Sequence, residues 1–133
     1  LTTVRAVRRA CAVRRLSDPD DSLFLDEWDD LIYWQAKRLS PYPYAWYTSV
    51  MPQFETYRLA REEMFAKNPP TFYYGKCSAS GDPLKGRPFE ADSDYIRLMQ
   101  NGKPSCLWVH NDKLSAITSD QWRSVEVFQY APK

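Results

Sequence analysis

An α+β domain is the fold class this sequence predicts: two amphipathic helices followed by long loops, a short helix and a small antiparallel β-meander. Three observations predict it. The stretch Ser22–Leu39 carries apolar residues at helical spacing and a second stretch does so between Met51 and Lys67, whereas residues 105–118 hold two short apolar runs either side of an Asn-Asp turn. A length of 133 residues suits one domain.

The chain opens on LTTVRAVRRACAVRRLS, which divides it into a basic arm over residues 1–17 and a body over 18–133. Residues 1–16 hold five arginines and no acid, which leaves 13 of the 18 cationic side chains against 17 acids, a net of −4, for the rest. On a helical wheel Arg5, Arg8, Arg9 and Arg15 share one side, opposite Val4, Val7, Ala10 and Cys11. Such a composition resembles that of an organelle transit segment. Asp18, Asp20, Asp21 and Asp26 are its expected internal partners.

Ser22–Leu39 reads as the anchor helix, with Ser22 as its N-cap and acids ahead of Lys37 and Arg38 to match the helix dipole. Phe24, Leu25, Trp28, Leu31, Ile32, Ala36 and Leu39 fall on one arc, the width of a core-facing stripe. Gln35 lies inside that arc as a hydrogen-bonded core residue. Leu23, Tyr33 and Trp34 fall on the opposite, wet face and read as a second contact surface.

Pro41 and Pro43 rule out helix in the next stretch. Tyr42, Tyr44, Trp46 and Tyr47 make it a stiff aromatic strap. No Lys or Arg stands between Arg38 and Arg58, so base stacking is disfavoured. The second helix, Met51–Lys67, is stopped by Asn68 and the Pro69–Pro70 pair. Val50, Phe54, Tyr57, Met64 and Phe65 form its apolar face, and Arg58 and Arg61 project into that same face. Each guanidinium there meets a carboxylate or a ring, within the chain or across an interface.

Residues 68–92 read as a long loop with one short strand at Thr71–Tyr74. Asp94–Asn101 reads as a short helix ended by Gly102. Ser105–His110 reads as a strand, Asn111-Asp112 as a turn and Leu114–Thr118 as the returning strand. The tail, Trp122–Tyr130, favours a third strand.

Chemistry is thin. Gly81 and Gly86 have a phosphate-loop spacing, but Arg87-Pro88 stands where Lys-Ser/Thr is required. One histidine, His110, is too few for a two-histidine metal site. Cys106 and His110 on one strand would lie ~13 Å apart, too far for a nucleophile and its base. Cys106 therefore reads as a small buried apolar residue. Three cysteines cannot all pair, and no glycosylation sequon is present, which fits a reducing compartment. No apolar run reaches the ~18–20 residues a membrane helix needs.

These readings point away from an enzyme and from any cofactor. They lead to a non-catalytic accessory or structural subunit of a large mitochondrial complex, the respiratory chain first, with a ribosomal or filament-associated protein as the alternative. A small enzyme or ligand-binding domain using the 75–94 loop is the reading from another class. The expected partner-binding residues are Arg5, Arg8, Arg9, Arg15, Leu23, Tyr33, Trp34, Tyr42, Tyr44, Trp46, Tyr47, Arg58 and Arg61. The expected partners are other protein subunits, with anionic lipid along the arginine arm; the acidic body disfavours nucleic acid.

Overall fold

A five-stranded mixed sheet in the order β1-β2-β4-β3-β5 divides the molecule into two layers of side chains. The computed structural model describes residues 4–26, 31–44, 47–48, 50–75, 89–125 and 128–130, with backbone alone for 4–7, 31, 34 and 128–130. The strands are β1 (Leu23–Leu25), β2 (Phe72–Tyr74), β3 (Tyr95–Gln100), β4 (Lys103–His110) and β5 (Phe128–Tyr130). The helices are α1 (Val4–Leu16), α2 (Leu31–Ala36), α3 (Glu55–Lys67), α4 (Asn111–Leu114) and α5 (Ser119–Arg123).

The expected order of two helices, then loops, then a meander is not what forms. β1, which precedes the second long helix, pairs in parallel with β2, and β2, β4, β3 and β5 then pair antiparallel. The helical start at Ser22 is instead a strand. Leu23, Phe24 and Leu25 are all buried, one face against the helices and the other against aromatic rings. A short apolar run suits a strand covered on both faces as well as it suits a helix, and periodicity alone does not separate them. Only Leu31–Ala36 of the anchor stretch is α2.

Asp94–Asn101 is likewise no helix. Tyr95–Gln100 is β3, which turns at Asn101-Gly102 into β4. Both turn residues have positive φ, 53° and 75°, the backbone that a two-residue type I′ hairpin requires and Asn-Gly supplies. Asn111-Asp112 opens α4, with His110 as its N-cap, so Leu114–Thr118 does not return as a strand. Thr118 and Gln121 form a reciprocal capping box at α5. Of the strand expected over Trp122–Tyr130, only Phe128–Tyr130 forms, as β5 against β3, while Trp122 and Arg123 belong to α5.

Period-two alternation sorts the strand residues. Leu23, Leu25, Phe72, Tyr74, Leu98, Leu107 and Val109 join Ala10, Ala12, Val13 and Leu16 of α1 and Ile32 and Ala36 of α2 in one core. The stretch read as an arm thus carries a helix whose inner face is part of that core. Phe24, Tyr73, Tyr95 and Trp108 face the other way, onto Met64 of α3, Tyr42, Tyr47, Met51 and Phe89.

Two devices tie the helices to the sheet. Arg38 is buried, and its guanidinium donates to the carbonyls of Arg14, Ser17, Ala36 and Lys37 and to Ser17 Oγ. One cation thereby serves the C-terminal ends of α1 and α2, where carbonyls lack helical partners. The outer edge of β1 is also closed. Leu23 N–H donates to the Leu39 carbonyl at 2.9 Å, and Leu25 N–H to the Tyr33 hydroxyl at 2.9 Å. Ser22, expected as a helix cap, exchanges hydrogen bonds with Thr71 instead.

Candidate functional site

The aromatic face carries the polar side chains of greatest interest. Strand registers align Phe24, Tyr73, Trp108 and Arg97 in one row across β1, β2, β4 and β3. At the β1 end, Asp26 leaves the strand with its carboxylate buried, and α3 brings Arg61 down onto it. Arg61 Nη1 and Nη2 donate to the two Asp26 oxygens at 2.5 and 2.9 Å. Arg61 also donates to the Tyr47 hydroxyl at 2.7 Å and to Glu90 Oε1. The Tyr73 hydroxyl donates to Asp26 Oδ2. The guanidinium lies 5.3–5.6 Å from the ring centres of Phe24, Tyr47 and Phe65.

Gly75 is what admits the carboxylate. A Cβ there would stand 2.6 Å from Asp26 Cβ and 2.9 Å from the Tyr73 hydroxyl. Burial works against the charge on Arg61, but the hydrogen bonds and charge of Asp26 outweigh it and raise its pKa. Burial pushes the Tyr47 phenol up to about 12, against the pull of Arg61. Burial first, then Asp26, raises Tyr73 as well. Asp26 thus has both oxygens engaged and no edge left for acid–base work. The cluster is a buried, hydrogen-bonded internal ion pair.

At the other end of the row, Arg97 stacks on Trp108 with its guanidinium carbon 4.4 Å from the ring centre. Among the described residues, Arg97 Nε and Trp108 Nε1 are buried without a hydrogen-bond partner. Burial lowers the Arg97 pKa, with Asp92 opposing the shift.

The residues expected to meet partners are distributed unevenly. Leu23 is fully buried in β1, Tyr42 and Tyr47 lie in the aromatic core, and half-buried Tyr33 serves the β1 edge. Arg61 is spent on Asp26. Arg9 turns inward, donating to the Tyr74 hydroxyl at 2.9 Å and to Gln100. Arg15 is exposed and donates to the Ser124 carbonyl, and Arg8 is exposed. Arg58 is exposed and pairs with Glu62 one helical turn on, at 3.5 Å. The side chains of Arg5 and Trp34, and Trp46 entirely, lie outside the described residues.

Among the described rings of the strap, Tyr44 stays exposed, and it does not stand alone. Its ring lies 5.1 Å from Tyr57, which lies 6.3 Å from Phe54, and Phe54 is 60% exposed beside exposed Val50. Val50 and Phe54 were expected on the buried face of the second helix. Helix α3 begins only at Glu55, after a 3-10 turn over Met51–Gln53 that swings both side chains outward.

The acids near the chain start are also spent internally. Lys113 bridges Asp18 at 3.2 Å and Asp21 at 2.8 Å, and Asp26 holds Arg61; among the described residues no ion pair joins these acids to the arginines of α1. Gln35 is in part unmatched: its Oε1 is buried with no partner among the described residues. Cys106 is disulfide-bonded, not a free buried thiol, which runs against the expected reducing compartment. Cys11 carries a free thiol. Among the described residues, no group of three or more His, Cys, Asp or Glu is placed to hold a metal ion. No described helix is long and apolar enough to cross a membrane. No family model, curated protein or solved structure matches this chain.

Proposed function

We propose that this chain is a non-catalytic subunit of a larger protein assembly, docked through the surface of Tyr44, Val50, Phe54 and Tyr57. The single observation behind this reading is that Tyr44 and Phe54, bridged by half-buried Tyr57, are left exposed while equivalent rings a few residues away are buried. Exposed aromatic side chains that already pack on one another lose little freedom on docking, and Tyr is a favoured interface anchor. The saturated state of Asp26 and Arg61 supports a non-catalytic role. Exposed Arg8 and Arg15, seven residues apart on one side of α1, supply a basic strip for an acidic neighbour or anionic lipid.

The compartment proposed is mitochondrial, in the form the Cys106 disulfide allows: one where thiols oxidise, outside the matrix. A respiratory-chain assembly is the proposed setting.

The test is the native mass of the tagged chain in gentle extracts of its own cells. The wild-type chain is expected at the mass of a larger assembly. The Val50→Ser/Phe54→Ser variant is expected at monomer mass with an unchanged circular-dichroism spectrum. A wild-type chain found only as a monomer, or a variant that stays in the assembly, rejects the reading. Alkylation of the same material after denaturation without reductant reads the compartment, since an alkylated Cys106 would reject an oxidising one.

A further inference from the structure

Arg97 and Trp108 sit opposite each other on adjacent strands, guanidinium over indole, and both keep a buried donor with no acceptor among the described residues. Trp108 is 8% exposed, so its Nε1–H is a donor held inside the protein. Phe89 packs edge-on against the same indole at 5.3 Å and walls one side. Asp92 is the acid whose charge reaches Arg97, yet it makes no ion pair with it among the described residues. The indole face attracts the guanidinium charge but accepts none of its N–H groups as a carboxylate would, so those donors remain for another acceptor. A planar fork of N–H donors beside one more N–H donor is the arrangement that receives an oxyanion, because every lone pair finds a proton.

We propose that Arg97 and Trp108 form a binding site for an oxyanion, the carboxylate or phosphate group of a small ligand. The Arg97 fork takes two of its oxygens and the Trp108 indole N–H completes the set. Phe89 offers an apolar wall to the remainder of the ligand. Both donors are sealed from bulk water, so entry requires a local opening at this end of the aromatic row. The site is independent of the docking surface proposed above.

The experiment is proton–nitrogen NMR of the full chain titrated with sodium phosphate or with sodium acetate at constant ionic strength. The Trp108 indole signal is assigned by its loss in Trp108→Phe. One anion is expected to shift that signal saturably while the other indoles stay in place, and the stronger of the two names the ligand chemistry. Arg97→Lys keeps the charge but loses the planar fork, and is expected to bind about tenfold more weakly. Arg97→Gln is expected to lose saturable binding altogether. No saturable shift with either anion overturns the proposal. So does an Arg97→Lys variant that binds as the wild type does, since diffuse surface charge would then suffice. Should Arg97→Gln fail to fold, the lysine variant alone decides.

Discussion

Two arginines share the aromatic face, and they meet opposite fates. Arg61, at the β1 end of the row, has acceptors on three sides: Asp26 below, Tyr47 beside it and Glu90 at the rim. Arg97, at the β3 end, has an indole under it, and its Nε has no acceptor among the described residues. Rings receive both cations, so cation–π contact does not separate them. The difference lies in what surrounds the rings. A desolvated charge is tolerated when its hydrogen bonds are made, and is a cost of ~1–3 kcal/mol for each donor left unmade. One end of the row has converted its polar groups into architecture. The other holds them unspent.

The sharpest break in that comparison is at Asp26. Asp26→Asn leaves Arg61 buried and charged beside a neutral amide, and is expected to destabilise the fold by ~3–5 kcal/mol. Arg61→Met is expected to cost a similar amount by stranding the carboxylate. Urea unfolding of both single variants and the double variant reads the coupling. A double variant whose loss equals the sum of the singles would mean the pair does not act as a unit.

Tyr47→Phe tests a smaller part of the same cluster. It removes one hydroxyl partner of Arg61 and is expected to cost about 1 kcal/mol at neutral pH. Its larger signature is at alkaline pH. The folded phenol titrates near 12, above its ordinary value of 10. The unfolded chain therefore releases this proton first, and stability that is fully present below pH 10 is lost as pH rises through 12. Tyr42, Tyr73 and Tyr95 are raised by burial in the same direction and add to that fall. Tyr47→Phe should lose less stability between pH 10 and 12 than the wild type. An identical alkaline limb in both proteins would show that Tyr47 is not a contributor.

The smallest expected effect has the opposite sign. Arg97→Met removes the unmatched Nε donor and keeps apolar contact with the indole. It is expected to leave stability unchanged or to raise it by up to about 1 kcal/mol. A loss of more than about 1 kcal/mol in thermal unfolding would mean that Arg97 supports the fold after all. Functional groups held at a cost to stability are the kind of site where such a gain is found.

Sequence reading found some of this and missed the rest for identifiable reasons. The Phe72–Tyr74 and Lys103–His110 strands were legible because apolar residues stand between turn signals. Arg61 was correctly seen to enter an aromatic face, but its partner Asp26 was assigned to a helix start, 35 residues away. Pairing at that separation leaves no local trace. Asn101-Gly102 was the missed signal that should have been caught: an Asn-Gly pair between apolar runs marks a hairpin. A helix-ending glycine gave a competing local explanation, and Tyr95, Ile96, Leu98 and Met99 fit either period over so short a run. The exposed ring cluster at Tyr44, Phe54 and Tyr57 was half visible. The strap was rightly read as aromatic, but nothing in composition told Tyr42 and Tyr47, which go inside, from Tyr44, which does not.

The hydroxyl of Tyr33 and the carbonyl of Leu39 have an effect beyond the domain itself. A strand at the margin of a sheet is a template on which foreign chains can zip, the first step toward fibres. Both outward amides of β1 are already engaged, so that margin is capped. A second chain therefore cannot extend the sheet across β1, and contact at that margin is surface to surface.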